Sequence, residues 1–137
     1  MAKIRLDVEP SPDILVIGIS CHENDYRLCW SLNRSLGLSL AKRAQDIKQV
    51  GPDGEAGHTA FDHDDADAEV RYTLVNNHGD RGLLLKEQRQ VDYFLLVDDH
   101  VPATMDELLV RVRGSEFVLA AFPLSFAELR AGHKLLR

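Results

Sequence analysis

Three segments of the chain are apolar at almost every position: Ile14-Leu15-Val16-Ile17-Gly18-Ile19, the run from Val91 to Val97, and Phe117-Val118-Leu119-Ala120-Ala121-Phe122. Short unbroken apolar runs of this kind read as β-strands buried on both faces. A sheet built from them has to be covered on both sides. Only about three helices can be read in the rest of the sequence, and if these share one face, the other face needs a long loop or a second subunit. That surplus predicts a homodimer joined through a sheet face or edge. Cover by the 38–58 segment within one chain is the alternative.

The remaining pattern is consistent with such a sheet. Lys3 to Val8 alternates polar and apolar residues, as a half-solvated strand does, and Glu9-Pro10-Ser11-Pro12 breaks it. A helix opens at Glu23 or Asn24 and runs to Leu36 with Leu28, Leu32 and Leu36 on one stripe, and Gly37 stops it. Leu38 and Leu40 suit the start of a strand, and Ala41 to Gln49 suits a short helix, before a Gly-rich loop from Gly51 to Gly57. Thr59 to Phe61 and Val70 to Val75 read as a hairpin around an acidic turn, closed by turn chemistry at Asn76 to Asp80. Thr104-Met105-Asp106-Glu107 is a capping box opening a helix with Leu108, Leu109 and Val112 inward and Gly114 at its end. Pro123 ends the last apolar strand, and Ser125-Phe126-Ala127-Glu128 reads as a second capping box with a short terminal helix behind it. The order predicts a single domain over 1–137 of the α+β class, with a mainly antiparallel sheet and about three helices. A ferredoxin-like core with additions fits best, its C-terminal β-α-β unit making a right-handed crossover.

Composition narrows the function classes. The 137 residues carry a net charge of −6, and their Lys and Arg are scattered, which argues against a nucleic-acid surface. No stretch has the apolar length needed to span a bilayer. The N-terminus runs straight into an alternating pattern rather than a leader-like apolar segment. Together with two cysteines, Cys21 and Cys29, and no disulfide framework, this predicts a cytoplasmic protein.

Leu85-Lys86-Glu87-Gln88-Arg89-Gln90-Val91-Asp92-Tyr93 and Asp25-Tyr26-Arg27-Leu28, with Leu32-Asn33 further on, carry a resemblance. They resemble the IPExxxVDY family of small bacterial proteins of the Bacteroidetes type, a family of unassigned function. Glu87, Val91, Asp92 and Tyr93 fall on its signature, and Leu85 stands for its Ile. Lys86 stands where the signature has Pro. Since no reactive group is lost with that proline, the resemblance implies an architectural signature. It also implies a small cytoplasmic bacterial protein with a C-terminal β-α-β unit.

Asp92 is the first candidate residue, because it shares a strand face with Phe94 and Leu96, where a carboxylate must be paired or hydrogen-bonded. Arg27, on a helix expected to pack on this sheet, is the expected partner in a clamp. The functional alternative is a small-ligand sensor using Arg27, Tyr26 and Tyr93, with Glu87 and Asp92 nearby. Cys21-His22-Glu23 at a helix start is the only candidate nucleophile, and neighbours in sequence seldom have the geometry of a nucleophile and its base. His58, Asp62, His63 and Asp64, followed by Asp65 and Asp67, are the densest metal-ligand set. They lack the Gly and distal Glu of a calcium loop and the helix of a zinc site, so a solvated acidic turn is the expectation. No Gly-rich phosphate loop joins a strand to a helix, and no cofactor is implied. The sequence points away from an enzyme. It favours a cytoplasmic protein-interaction module forming a homodimer and meeting another cytoplasmic protein, with the sensor as the alternative and a Cys-dependent enzyme last.

Overall fold

A computed structural model describes residues 13–52 and 54–136. The alternating segment 3–8 lies outside them. The apolar runs form strands β1 (Ile14–Ser20), β9 (Tyr93–Asp98) and β10 (Ala120–Leu124). These join β6 (Val70–Asn76), β5 (Ala60–Asp65) and β2 (Ala41–Lys42) in a sheet of order β10-β1-β9-β6-β5-β2, with every neighbouring pair antiparallel. The protein is α+β with a mainly antiparallel sheet and, among the described residues, two α-helices: α1 (Asp25–Leu36) and α2 (Met105–Arg113). β9-α2-β10 is the expected C-terminal β-α-β connection, and β1 lies between its two strands.

Local chemistry bounds both helices. Asn24 caps α1 by accepting from the Arg27 N–H, and Gly37 ends it at φ 68°, a conformation a side chain would strain. Thr104 and Glu107 complete the reciprocal capping box of α2. Leu28 and Leu32 of α1, with Leu108, Leu109 and Val112 of α2, cover one sheet face over Ile17, Ile19, Leu74, Leu95 and Val97.

The opposite face is covered within the same chain. Val16, Val75, Phe94 and Leu96 pack against Ile47, Leu84, Leu85, Val91, Leu129 and Leu135. Ile47 comes from β3 (Ile47–Gly51), which forms a hairpin with β4 (Gly54–His58). A second small hairpin, β7 (His78–Gly79) with β8 (Gly82–Leu83), leads into the segment carrying Leu84, Leu85 and Val91. The apolar strand faces are therefore covered within the chain, but of the 38–58 segment only Ile47 takes part; most of the cover comes from residues 84–91 and 126–135.

Other expectations are corrected. The 41–49 segment is not a helix but β2 and the start of β3, and the Gly-rich loop is a hairpin whose second strand begins at Gly54. The last strand starts three residues late, at Ala120, because Phe117 turns the chain at φ 76°; it continues through Pro123 instead of stopping there. Ser125 makes no side-chain cap bond, and the terminal helix is replaced by two 3-10 segments, Phe126–Glu128 and Gly132–Leu136.

Candidate functional site

Asp92 precedes β9 and is held, but not by Arg27. Its Oδ2 accepts the Cys21 N–H at 2.8 Å, and its Oδ1 lies 2.7 Å from His78 Nε2. Arg27 instead pairs with Glu23 at 3.3 Å on the exposed side of α1, with its guanidinium 5.8 Å from the centroid of the Phe117 ring. The clamp thus joins the end of β1, the start of β9 and the β7–β8 hairpin. It does not tie helix to sheet. Tyr93 points to the helix side of the sheet, and its hydroxyl donates to the Glu23 carbonyl at 2.9 Å. Burial first, and then the neighbouring Cys21, Asp25, Asp92 and Glu23, push that phenol well above its ordinary range. Tyr93 is therefore separate from the surface that carries Tyr26 and Arg27.

Glu87 accepts two backbone N–H groups, from Arg130 at 3.2 Å and Ala131 at 3.1 Å, and so pins the C-terminal segment onto the second sheet face. Burial acts against its charge, but these two bonds and the Arg130 guanidinium outweigh it and hold the carboxyl below the usual range. Asn77, which lies in the turn chemistry at Asn76 to Asp80, is fully buried. Its Oδ1 accepts the Leu85 N–H at 2.8 Å, and its Nδ2 donates to Val91 O at 2.8 Å and Gln88 O at 3.1 Å. Its only signal in the sequence was an Asn between two apolar runs, which turn chemistry explains equally well.

Cys21 is buried, and its thiol points to the Glu23 carbonyl at 3.8 Å. Burial, reinforced by Asp92 and Glu23, raises its pKa, which is the opposite of what an activated nucleophile needs. The acidic run is also committed elsewhere. Asp62 takes Arg43 in a two-pronged pair and accepts from Thr73 at 2.7 Å. His63 Nδ1 accepts the Ser39 N–H at 3.1 Å, and Asp64 pairs with Arg71 at 3.2 Å. His58 is buried on another strand. The structure does not bring these four together as a ligand set, and among the described residues no group of three His, Cys, Asp or Glu is placed to hold a metal.

One surface stands out. Tyr26 and Trp30, one helical turn apart on the outer face of α1, are 60% and 48% exposed. With Arg27 and Phe117 they line a shallow apolar depression, and on the other side of Trp30 a polar groove runs past Arg34, Ser35, Ser115 and Glu116. The Arg34 guanidinium lies 4.9 Å from the centroid of the Trp30 ring. Exposed Trp, Tyr and Arg in one patch is the composition of interface hot spots. No protein-family model matches the chain, and no curated protein or solved structure matches it.

Proposed function

We propose that the chain is a non-enzymatic protein-interaction module that forms a homodimer through the outer face of α1. The observation that carries this reading is the exposure of Tyr26 and Trp30 side by side on that helix. Exclusion supports it. Both sheet faces are covered by the chain's own segments. The β10 edge is blunted, since Pro123 offers no N–H and Arg113 Nε already donates to the Ala121 carbonyl at 3.0 Å. The opposite edge strand, β2, has only two residues.

Charge favours a second copy over a partner of one sign. The patch is rimmed by Arg27 and Arg34 and by Glu23 and Glu116, so it can face itself across a twofold axis without like charges having to meet. The strand order β10-β1-β9-β6, with α1 following β1 and α2 joining β9 to β10, supports a ferredoxin-like core to which β2 to β5 and residues 78–91 are additions. Two buried, unpaired thiols support a reducing cytoplasm. Glu87 and Asp92 both act as ties between chain segments, which fits the architectural signature that the IPExxxVDY resemblance implies.

Light scattering after size exclusion, from low to high micromolar protein, tests the reading. The expected result is a dimer, with the emission of the lone tryptophan shifting to the blue as it forms. Trp30→Ser should weaken association by about thirtyfold or more, the effect of losing a hot-spot residue worth roughly 2 kcal/mol. A monomer at every concentration, with unchanged Trp30 emission, overturns it.

A further inference from the structure

His58 ends β4 and is completely buried, with Nδ1 3.1 Å from the Asn76 carbonyl. A carbonyl can only accept, so Nδ1 carries the proton and Nε2 presents a bare lone pair. Nε2 has no hydrogen-bond partner, and no other buried side-chain nitrogen or oxygen among the described residues is left in that position. The reason is steric. The Cε1–Nε2 edge of the ring fills the space where residue 79 would carry a Cβ; an ideal Cβ there would lie 2.7 Å from Cε1 and 2.8 Å from both Nε2 and the Gly57 carbonyl oxygen. Only glycine lets β7 lie against the ring.

The hairpin above the ring has a short ladder. β7 and β8 pair over two positions only. Among its further ties are His78 Nε2 on Asp92 Oδ1 at 2.7 Å, the His78 N–H on Asn76 Oδ1 at 3.0 Å, Asp80 Oδ1 accepting the Gly57 N–H at 3.2 Å, and Gln49 Nε2 on Leu83 O at 3.2 Å. From the geometry of His58 and Gly79 we infer that the β7–β8 hairpin is a proton-sensitive latch, closed over neutral His58 and released when Nε2 gains a proton. A second N–H at Nε2 would be buried against Gly79 without an acceptor, a costly arrangement for a charged donor. Lifting the hairpin admits water to the charged ring.

The charged groups around the ring act in both directions. Burial lowers the His58 pKa most, and His78 on β7 lowers it further; Asp80 on the turn and Asp46 ahead of β3 oppose them. Asp46 also packs against Gly57, where a Cβ would lie 2.8 Å from its Oδ2. Protonation of His78 would strengthen its own bond to Asp92 and hold the hairpin down. That gain is made at an exposed pair and is the smaller of the two effects, so the buried, unpaired N–H at His58 decides and the latch opens. This inference is independent of the proposed dimer surface, which lies on α1.

Amide exchange of the full chain at pH 7.5 and 5.5, corrected for intrinsic rates, is the test. Protection at Leu84 and Leu85, whose N–H groups bond Asn77, should fall by up to about tenfold, the most that an imidazole with an open-state pKa near 6.5 can give between these two pH values. Amides of β1 and β9 should keep their protection. His58→Asn retains a donor for the Asn76 carbonyl and cannot titrate, so its hairpin protection should be independent of pH. A histidine NMR titration of the unaltered chain covers the case in which this variant does not fold, and His58 should then titrate with the same midpoint as hairpin release. Hairpin protection unchanged between the two pH values, or a loss shared equally by the central strands, overturns the latch.

Discussion

Asn77→Ala is the sharpest test of how the second sheet face is covered. The side chain is fully buried and makes three hydrogen bonds into residues 85–91, the segment that carries Leu85 and Val91 into the core. Truncation removes all three and leaves the Leu85 N–H and two carbonyls facing a dry space. Each bond contributes about 1 kcal/mol net, and any group left unsolvated adds about 1–3 kcal/mol, so the expected loss is about 3–5 kcal/mol. At about 2.1 cal/mol/K per residue, a chain of 137 residues unfolds with roughly 0.3 kcal/mol/K, which places the fall in melting temperature at about 10–17 °C. Urea unfolding followed by circular dichroism gives the free energy directly. Asn76→Ala is the internal control, since that side chain accepts a single bond at the exposed hairpin, and it should cost less than about 1 kcal/mol. A fall below about 3 °C for Asn77→Ala would mean that water reaches the 85–91 segment and that the core does not close as described.

Asp92→Ala should cost about 1.5–3 kcal/mol in the same assay because it strips a charged acceptor from the Cys21 N–H, whereas Arg27→Ala, an exposed pair, should stay within about 0.5 kcal/mol; equal losses would restore the helix–sheet clamp. Gly79→Ala should destabilise by about 1–3 kcal/mol, since its Cβ would meet a ring and a carbonyl that cannot both move away, and a neutral result would show a looser contact. Stability should fall on acidification in two stages. His58 is held below its free value, so below about pH 6.5 the unfolded chain binds the proton first and stability declines until the folded ring titrates. Burial works against the Asp62 charge, but Arg43 and Thr73 outweigh it and depress the carboxyl, so its contribution is present above about pH 3.9 and lost as pH falls from there toward the folded value. Denaturant midpoints across that range check both stages, and a first stage that persists unchanged in His58→Asn refutes the assignment to His58.

What the sequence made legible was what local chemistry decides. The stripe of α1 between Asn24 and Gly37, the capping box at Thr104 and the hairpin around the acidic turn all form from residues within a few positions of one another. What it hid depended on distant neighbours. Gly54 to His58 has poor strand propensity, yet it pairs as β4 because Gly57 lets Asp46 pack closely and His58 fills the space beside Gly79. The onset of β10 moved because Phe117 is held at positive φ beneath Arg27, which no local signal marks. Ser125 had the pattern of a cap, but Leu129 and Leu135 are drawn onto the second sheet face, and the segment closes in 3-10 turns instead. The need of Asp92 for a partner was legible from its apolar neighbours. Its partners were not, because one is the Cys21 backbone N–H, which no side chain announces, and the other is His78, brought back from a separate hairpin.

The stretch from Glu87 to Tyr93 shows why it is better read as architecture than as chemistry. Within seven positions it fastens four separate parts of the chain. Glu87 holds the C-terminal segment at Arg130 and Ala131. The Val91 carbonyl takes Asn77. Asp92 joins the end of β1 to the β7–β8 hairpin, and Tyr93 reaches the loop before α1 at Glu23. Each contact uses a backbone group or a histidine at an element boundary, and none is aimed at a cavity. A catalytic stretch concentrates its polar groups on one reacting point, whereas these diverge to both faces of the sheet. Substitutions here should therefore act on stability and on the docking of the C-terminal segment. Glu87→Ala is the clearest case, since it should raise amide exchange at Arg130 and Ala131 by at least about tenfold while leaving α1 and α2 protected, the local cost of two charge-assisted bonds. If exchange rose equally across the sheet, Glu87 would be holding the whole fold, and the segment it pins would belong to the central core.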